Sequence, residues 1–120
     1  PVGGATVRLF QEVGWGNAMR YLLTGDDITA KEAFRLGLVQ EVTPAQACLD
    51  TALAIAETIS KQAPLGVAAS LRSSRLARSH GDQAAIDRLL PDLMPLMKTR
   101  DVQEGLASFL ERREARFKGM

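Results

Sequence analysis

The sequence is poor in the residue types that several kinds of site require. Its single cysteine, Cys48, cannot form an internal disulfide, and its single histidine, His80, has no second histidine or cysteine with which to hold a metal ion. The formal charge is only +1, from 15 basic and 14 acidic side chains, so no global field attracts nucleic acid. We therefore predict no metal site and no nucleic-acid partner.

Long apolar runs are missing as well. No run approaches the roughly 20 apolar residues that a membrane-spanning helix needs, and the first residues do not resemble a secretory signal peptide. The sequence therefore predicts a cytoplasmic protein without a membrane partner. With 120 residues and 46% hydrophobic content, the chain is one globular domain or a piece of one.

The chain is instead rich in signals that start and stop helices. They are densest between residues 22 and 42, where Gly25 is expected to end one helix and Gly37 the next. Between them, Thr29 and Glu32 form a Thr-x-x-Glu capping box, so we expect a helix from Ala30 to Leu36. No long alternating pattern predicts a strand. The pattern thus predicts six or seven helices without a sheet of their own.

Other positions carry similar signals. We expect N-caps at four further residues, Asn17, Thr43, Asp82 and Asp101. Pro91 lies inside a helical pattern, where proline costs roughly 3 kcal/mol, so we expect a kink or break there. Gly105 lies in the first turns of the last helix and suggests a close approach by another backbone.

Three ordered motifs run along the chain. They are P-x-G-G-x-T-x-R-L from Pro1, A-M-x-x-L-L-T-G-D-x-I-T-A-x-E-A-x-x-x-G-L-V-x-x-V from Ala18, and D-x-x-E-G-x-x-x-F-x-E-x-R from Asp101. Together they closely resemble the C-terminal part of the enoyl-CoA hydratase/isomerase (crotonase) family. The resemblance covers essentially all 120 residues.

The resemblance implies a mostly α fold, the C-terminal helical trimerisation region of a crotonase-like ββα spiral whose core sheet is absent from this chain. Residues 1–25 would then be the helical end of the crotonase core. Residues 26–120 would form the helical oligomerisation region of a homo-oligomer, a trimer or a dimer of trimers.

The resemblance also implies a function for a longer parent protein. That parent would be an enoyl-CoA hydratase, which hydrates 2-enoyl-CoA thioesters in fatty acid metabolism; an isomerase or another crotonase chemistry is the alternative. The family's oxyanion donors and hydratase glutamates lie upstream of the Pro-Gly-Gly motif, so we assign no catalytic residue here and expect this chain alone to be inactive. No cofactor is expected, because the CoA thioester is the substrate. A non-catalytic oligomerisation module is a further alternative.

Two groups of substrate-binding residues follow from the resemblance. The turn formed by Pro1, Val2, Gly3 and Gly4 would lie next to the acyl pocket, although Val2 and Ala5 stand where many relatives have glycine. Phe109 and Arg112, the latter in place of the usual lysine, would reach the adenine and phosphate part of CoA bound to a neighbouring subunit. From the residues alone, a plain turn is favoured for the glycine pair over a turn that cradles an anion or lets a ligand approach the backbone.

The C-terminal cations have two interpretations. Four of them gather after the last helix, at Arg112, Arg113, Arg116 and Lys118. They would complement the helix dipole or bind a phosphate-bearing ligand.

Overall fold

The computed structural model describes residues 3–120, and within them the chain forms seven α-helices and no strand. The helices are α1 Ala5–Val13, α2 Trp15–Thr24, α3 Ala30–Arg35, α4 Cys48–Ser60, α5 Pro64–His80, α6 Asp82–Leu96 and α7 Arg100–Glu111. A short 3-10 turn, Ala45–Ala47, precedes α4. The prediction of a helical chain without its own sheet is confirmed for this part of the chain.

The chain divides into two compact units, Pro1–Thr51 and Ala52–Met120. In the first unit α1 packs against α2, and in the second α5 packs against α6. The predicted division between a core end and an oligomerisation region, at residue 25, concerns the parent protein and stays a prediction.

The helix start and stops predicted between residues 22 and 42 are confirmed. Gly25 and Gly37 adopt left-handed conformations, with φ of 75° and 76°, at the ends of α2 and α3. The Thr29 hydroxyl caps α3 by accepting a hydrogen bond from the Glu32 amide at 3.2 Å. The Glu32 side chain does not complete the capping box, because it binds the Arg35 guanidinium at 2.6 Å and accepts a hydrogen bond from the Tyr21 hydroxyl.

Three of the other predicted caps are wrong. Helix α2 begins at Trp15, so Asn17 lies inside it and its side-chain amide donates to the Val13 carbonyl at 2.9 Å. Thr43 is not a cap either, because Pro44 occupies the N-cap position of the 3-10 turn. Asp82 is already the first residue of α6, after Gly81 at the N-cap position. At each of these three helix starts, no side chain of the N-cap residue accepts a hydrogen bond from a backbone amide.

Of the kink or break expected at Pro91, the break does not occur, since α6 is one helix from Asp82 to Leu96; the kink stays a prediction. Two interactions support the helix across the missing backbone hydrogen bond. Arg88 and Asp92 form an ion pair of 2.6 Å that spans Pro91, and Asp92 also lies 3.7 Å from Arg72 of α5. Helix α6 also packs against α5, and tertiary packing of this kind can offset the intrinsic cost of a proline.

Large apolar side chains remain exposed on helices α4 to α7. The exposed fraction is 68% for Leu49, 62% for Leu106 and 72% for Leu110, and no residue of α4 or α5 is buried. Apolar surface of this extent is unusual on a soluble chain unless another surface covers it. Among the described helices, none is long and apolar enough to cross a membrane.

Candidate functional site

The glycine turn at the start of the described residues forms the entry to α1. Gly3 and Gly4 have φ of 80° and 81°, which glycine alone adopts without strain. The Gly4 carbonyl accepts hydrogen bonds from the Val7 and Arg8 amides, both at 3.0 Å. A tight turn is confirmed here, whereas the contact with an acyl group remains a prediction. Pro1 and Val2 lie outside the described residues.

Helix α7 starts differently from the prediction. Its N-cap is Thr99, whose hydroxyl accepts a hydrogen bond from the Val102 amide at 3.4 Å. Asp101, the predicted cap, lies in the first turn and is only 4% exposed. A buried carboxylate needs hydrogen-bond partners, and those of Asp101 come from the end of the chain rather than from α7.

Residues 113–120, which we call the C-terminal tail, fold back along α7. The two carboxylate oxygens of Asp101 accept hydrogen bonds from the Lys118 amide at 2.7 Å and the Gly119 amide at 2.8 Å. In return the Met120 carbonyl accepts from the Arg100 amide at 2.7 Å and the Asp101 amide at 3.2 Å. The tail thereby satisfies amides at the helix N-terminus that have no partner inside the helix.

Glu104 holds the other end of the tail. The Arg113 guanidinium binds it in a bidentate pair, with Nη1 2.6 Å from Oε1 and Nη2 3.0 Å from Oε2. The Arg116 amide donates to the same carboxylate at 2.8 Å, and Arg113 Nε also reaches Glu111 at 2.6 Å. Chiefly because of Arg113, the pKa of Glu104 falls to about 2, while that of Arg113 rises.

Phe109 and Arg112 lie together at the C-terminal end of α7. Arg112 has φ of 53°, the one left-handed residue other than glycine in the described chain, and its amide donates to the Phe109 carbonyl at 3.3 Å. The Phe109 side chain is 79% exposed, and Arg112 is exposed as well. The structure thus brings these two predicted residues within one helical turn of each other and leaves both open to solvent.

The carboxylates in these networks are poorly suited to proton transfer. A general acid or base works best with a pKa near the operating pH. The pKa of Glu32 is lowered to about 2, mainly by its hydrogen bond from Arg35, and that of Glu104 is equally low. Both carboxylates therefore stay ionised and paired, in structural roles.

The interaction of the tail with α7 is the part of this site that sequence reasoning missed. Glu104 and Arg113 are nine residues apart, which is not a spacing that brings two side chains together on one helix. They meet only because the chain reverses at Arg112. The motif D-x-x-E-G in front of a cluster of arginines was the one sequence feature that could have indicated this contact, but it looks like an ordinary capping box. Among residues 3–120, no group of three or more potential ligands lies where it could hold a metal ion.

Comparison with known proteins shows which family shares these features. The profile described as enoyl-CoA hydratase/isomerase matches residues 1–120. The chain is 40% identical to a crotonyl-CoA hydratase of Syntrophomonas wolfei, over 98% of the chain and 45% of that protein. It is 34% identical to a 2,3-dehydroadipyl-CoA hydratase of Escherichia coli, over 99% of the chain and 47% of that protein.

A solved structure is similar along the whole chain. It is a probable enoyl-CoA hydratase/isomerase from Mycobacterium abscessus, with a TM-score of 0.93 and 50% identity, covering 100% of this chain and 47% of that one. The chain therefore spans about half the length of the relatives it matches. The similarities of sequence and structure agree with the three motifs, and the chain belongs to the enoyl-CoA hydratase/isomerase family, of which it has the C-terminal helical portion of the crotonase fold.

Proposed function

We propose that the chain is the helical region of a cytoplasmic enoyl-CoA hydratase that hydrates 2-enoyl-CoA thioesters in fatty acid metabolism. Two relatives that match nearly all of the chain bear the names of hydratases of CoA thioesters. An isomerase is the second candidate, because the names of the family and of the Mycobacterium abscessus relative include this activity beside that of a hydratase. Both activities act on the same class of substrate, an acyl-CoA.

Within such an enzyme, this chain would bind and assemble rather than carry out the chemistry. Hydration needs donors aimed at the thioester oxygen and acid/base groups that orient water and move a proton. The observation that carries the proposal is that the chain matches only 47% and 45% of the length of the two hydratase relatives; Glu32 and Glu104, each paired with arginine, fit structural roles within that portion. The inactivity of the isolated chain follows from this proposal.

Phe109 and Arg112 would supply the contact with CoA. An exposed aromatic ring can stack on adenine, and a guanidinium binds phosphate through two parallel hydrogen bonds. One helical turn separates the two side chains, a spacing that suits the adjoining adenine and phosphate groups of one CoA molecule. The glycine turn from Pro1 to Gly4 would lie at the other end of the substrate, beside the acyl chain.

The exposed apolar faces support the assembly role. Leu49, Leu106 and Leu110 are more than half exposed, and covering such surface in a homo-oligomer would gain roughly 25 cal/mol for each Å² buried. We propose a trimer or a dimer of trimers. If the chain functions without a longer parent, this surface favours the other candidate, a non-catalytic oligomerisation module.

Two measurements test the proposal. The first follows the loss of crotonyl-CoA absorbance with the purified 120-residue chain, and turnover above the uncatalysed rate would overturn the assignment of no catalytic role. The second compares the intact mass of the natural gene product with that of this chain. A product near twice this size is expected for a hydratase, whereas a product of this length alone would favour the oligomerisation module.

The contact with CoA is tested in the isotopically labelled full-length parent protein, by titration with CoA and with dephospho-CoA, which lacks the 3′-phosphate. Amide resonances at Phe109 and Arg112 should shift, and Phe109→Ala and Arg112→Ala should weaken binding. Lys98→Ala removes an exposed cation elsewhere in the second unit and serves as the control. Equal affinity in all three variants would overturn the assignment of Phe109 and Arg112.

A further inference from the structure

We propose that Asp101 and Glu104 are positioning residues that hold the C-terminal tail against α7 and thereby place Phe109 and Arg112 for CoA. Neither carboxylate would touch the substrate, and each would act through the tail. The inference rests on the proposed contact of Phe109 and Arg112 with CoA. It extends that proposal by naming the groups that fix the geometry of the contact.

The chain reverses its direction at Arg112, directly after α7. Arg112 is left-handed, a conformation that carries a steric cost for a residue with a Cβ. Arg113 follows directly, and its guanidinium binds Glu104 on one side and Glu111 on the other at 2.6 Å each. The ion pairs of Arg113 therefore restrain its neighbour Arg112, the residue proposed to bind the phosphate of CoA.

A second set of contacts holds the C-terminal end of the tail against α7. Asp101 accepts from the Lys118 and Gly119 amides, and the ring of Phe117 lies over Gly105. Asp101, Glu104 and Gly105 are spaced at i, i+3 and i+4, so they share one face of α7. The tail thus runs back along that face, anchored near both of its ends.

The same pairing keeps Arg112 available. Two carboxylates of α7, Glu104 and Glu111, are both bound by Arg113. A free carboxylate at this place would compete with a phosphate for the Arg112 guanidinium. By binding Glu104 and Glu111, Arg113 removes two acids that could compete with a ligand for the neighbouring Arg112.

The test compares Glu104→Gln and Asp101→Asn with Glu114→Gln, an exposed tail glutamate whose side chain takes no part in these contacts. Amide hydrogen exchange reports the tail. We expect about tenfold faster exchange at the Arg116 amide in Glu104→Gln, and at the Lys118 and Gly119 amides in Asp101→Asn, as each loses a charge-assisted hydrogen bond. Glu114→Gln should exchange as the unmodified chain does.

Affinities for CoA and dephospho-CoA report the positioning. Glu104→Gln should bind CoA about tenfold more weakly and lose most of its preference for CoA over dephospho-CoA, while keeping its helical circular dichroism. Arg113→Lys keeps the charge but not the planar fork, so it should give an intermediate loss. This second variant decides the matter if Glu104→Gln fails to fold.

The outcomes separate the two proposals. A loosened tail with unchanged CoA affinity would overturn the positioning role and leave the proposed function intact. Unchanged exchange in Glu104→Gln and Asp101→Asn would overturn the role of the two carboxylates in holding the tail. If the full-length parent binds CoA with an affinity that Phe109→Ala and Arg112→Ala leave unchanged, both the CoA contact and the positioning role are overturned.

Discussion

Gly105 lies beneath the aromatic ring of Phe117, so that a methyl group added at Gly105 would come within 3.6 Å of Phe117 Cε1. This is an ordinary van der Waals distance, and the ring replaces the close backbone that the sequence had suggested there. Glycine inside a helix costs about 1 kcal/mol relative to alanine. We therefore expect Gly105→Ala to raise the free energy of unfolding by up to about 1 kcal/mol, measured by urea denaturation followed by circular dichroism.

The matched control for this prediction is Gly105→Leu. Leucine is as good a helix former as most residues, but its branched side chain does not fit under the Phe117 ring. It should therefore loosen the tail and gain less stability than alanine. If alanine destabilises the chain, the ring lies closer to the helix than the structure indicates.

The left-handed conformation of Arg112 leads to a second prediction. Glycine adopts φ of 53° without the steric cost that a Cβ imposes, about 1 kcal/mol. Arg112→Gly should therefore be more stable than Arg112→Ala by about 1 kcal/mol, as measured by thermal or urea unfolding. Both variants should lose the same CoA affinity, because both lack the guanidinium. A difference in affinity between them would mean that the backbone at this position, and not only the charge, determines binding.

Acid should lower the free energy of unfolding by protonating Glu32 and Glu104. Both pKa values fall from the ordinary 4.5 to about 2 in the folded chain. A carboxylate with a lowered folded pKa stabilises fully above its unfolded pKa, and this stabilisation is lost as the pH falls towards the folded value. We expect urea midpoints to drop between pH 4.5 and about 2, and to drop less in the double variant Glu32→Gln, Glu104→Gln.

The control for the acid prediction is again Glu114→Gln, which should keep the slope of the unmodified chain. Equal slopes in the double variant and the unmodified chain would contradict the prediction. They would indicate that the arginine pairs persist in the unfolded ensemble or contribute nothing to stability.

The sequence predicted helix ends correctly where they depend on the conformational preference of a single residue. Gly25 and Gly37 end their helices as expected, because the left-handed conformation is a property of glycine. Thr29 caps α3 for an equally local reason. The family, too, could be identified from motifs of this kind.

The interactions that could not be predicted are those between distant parts of the chain. Asp101 reads as a cap, but its partners are amides 17 and 18 residues away. Pro91 reads as a break, but α6 runs through it unbroken and packs against α5. Helical periodicity contains no information on a tail that folds back through a left-handed residue, and so the positioning contacts of Glu104 became visible only in three dimensions.

Self-association should follow from the exposed apolar surface. We expect light scattering at micromolar concentration to give a mass several times that of one chain. Leu49→Glu places a charge on the exposed face of α4, where burial against another subunit would leave it without a partner, so it should shift the population towards monomer. Asp50→Lys, at an already charged and exposed position, should leave the mass unchanged. A monomeric unmodified chain would contradict this prediction.

The threonine caps give a final comparison between positions that look alike in the sequence. Thr29 and Thr99 accept hydrogen bonds from the Glu32 and Val102 amides, whereas Thr43 precedes a turn that Pro44 caps. Loss of a capping hydroxyl typically costs about 1 kcal/mol. Thr29→Ala and Thr99→Ala should each lower the free energy of unfolding by about this amount, and Thr43→Ala should change it little.

Urea denaturation of the three alanine variants decides the outcome. The capping bond at Thr99 is longer, 3.4 Å against 3.2 Å at Thr29, but Thr99 Oγ1 also donates to the Leu96 carbonyl at 2.7 Å, so loss of the Thr99 hydroxyl should cost at least as much as that of Thr29. A large effect of Thr43→Ala would mean that α4 begins earlier in solution, with Thr43 as its cap. Because the Thr29 hydroxyl accepts a backbone amide at a helix start and the Thr43 hydroxyl does not, the difference between these two variants measures the contribution of the cap.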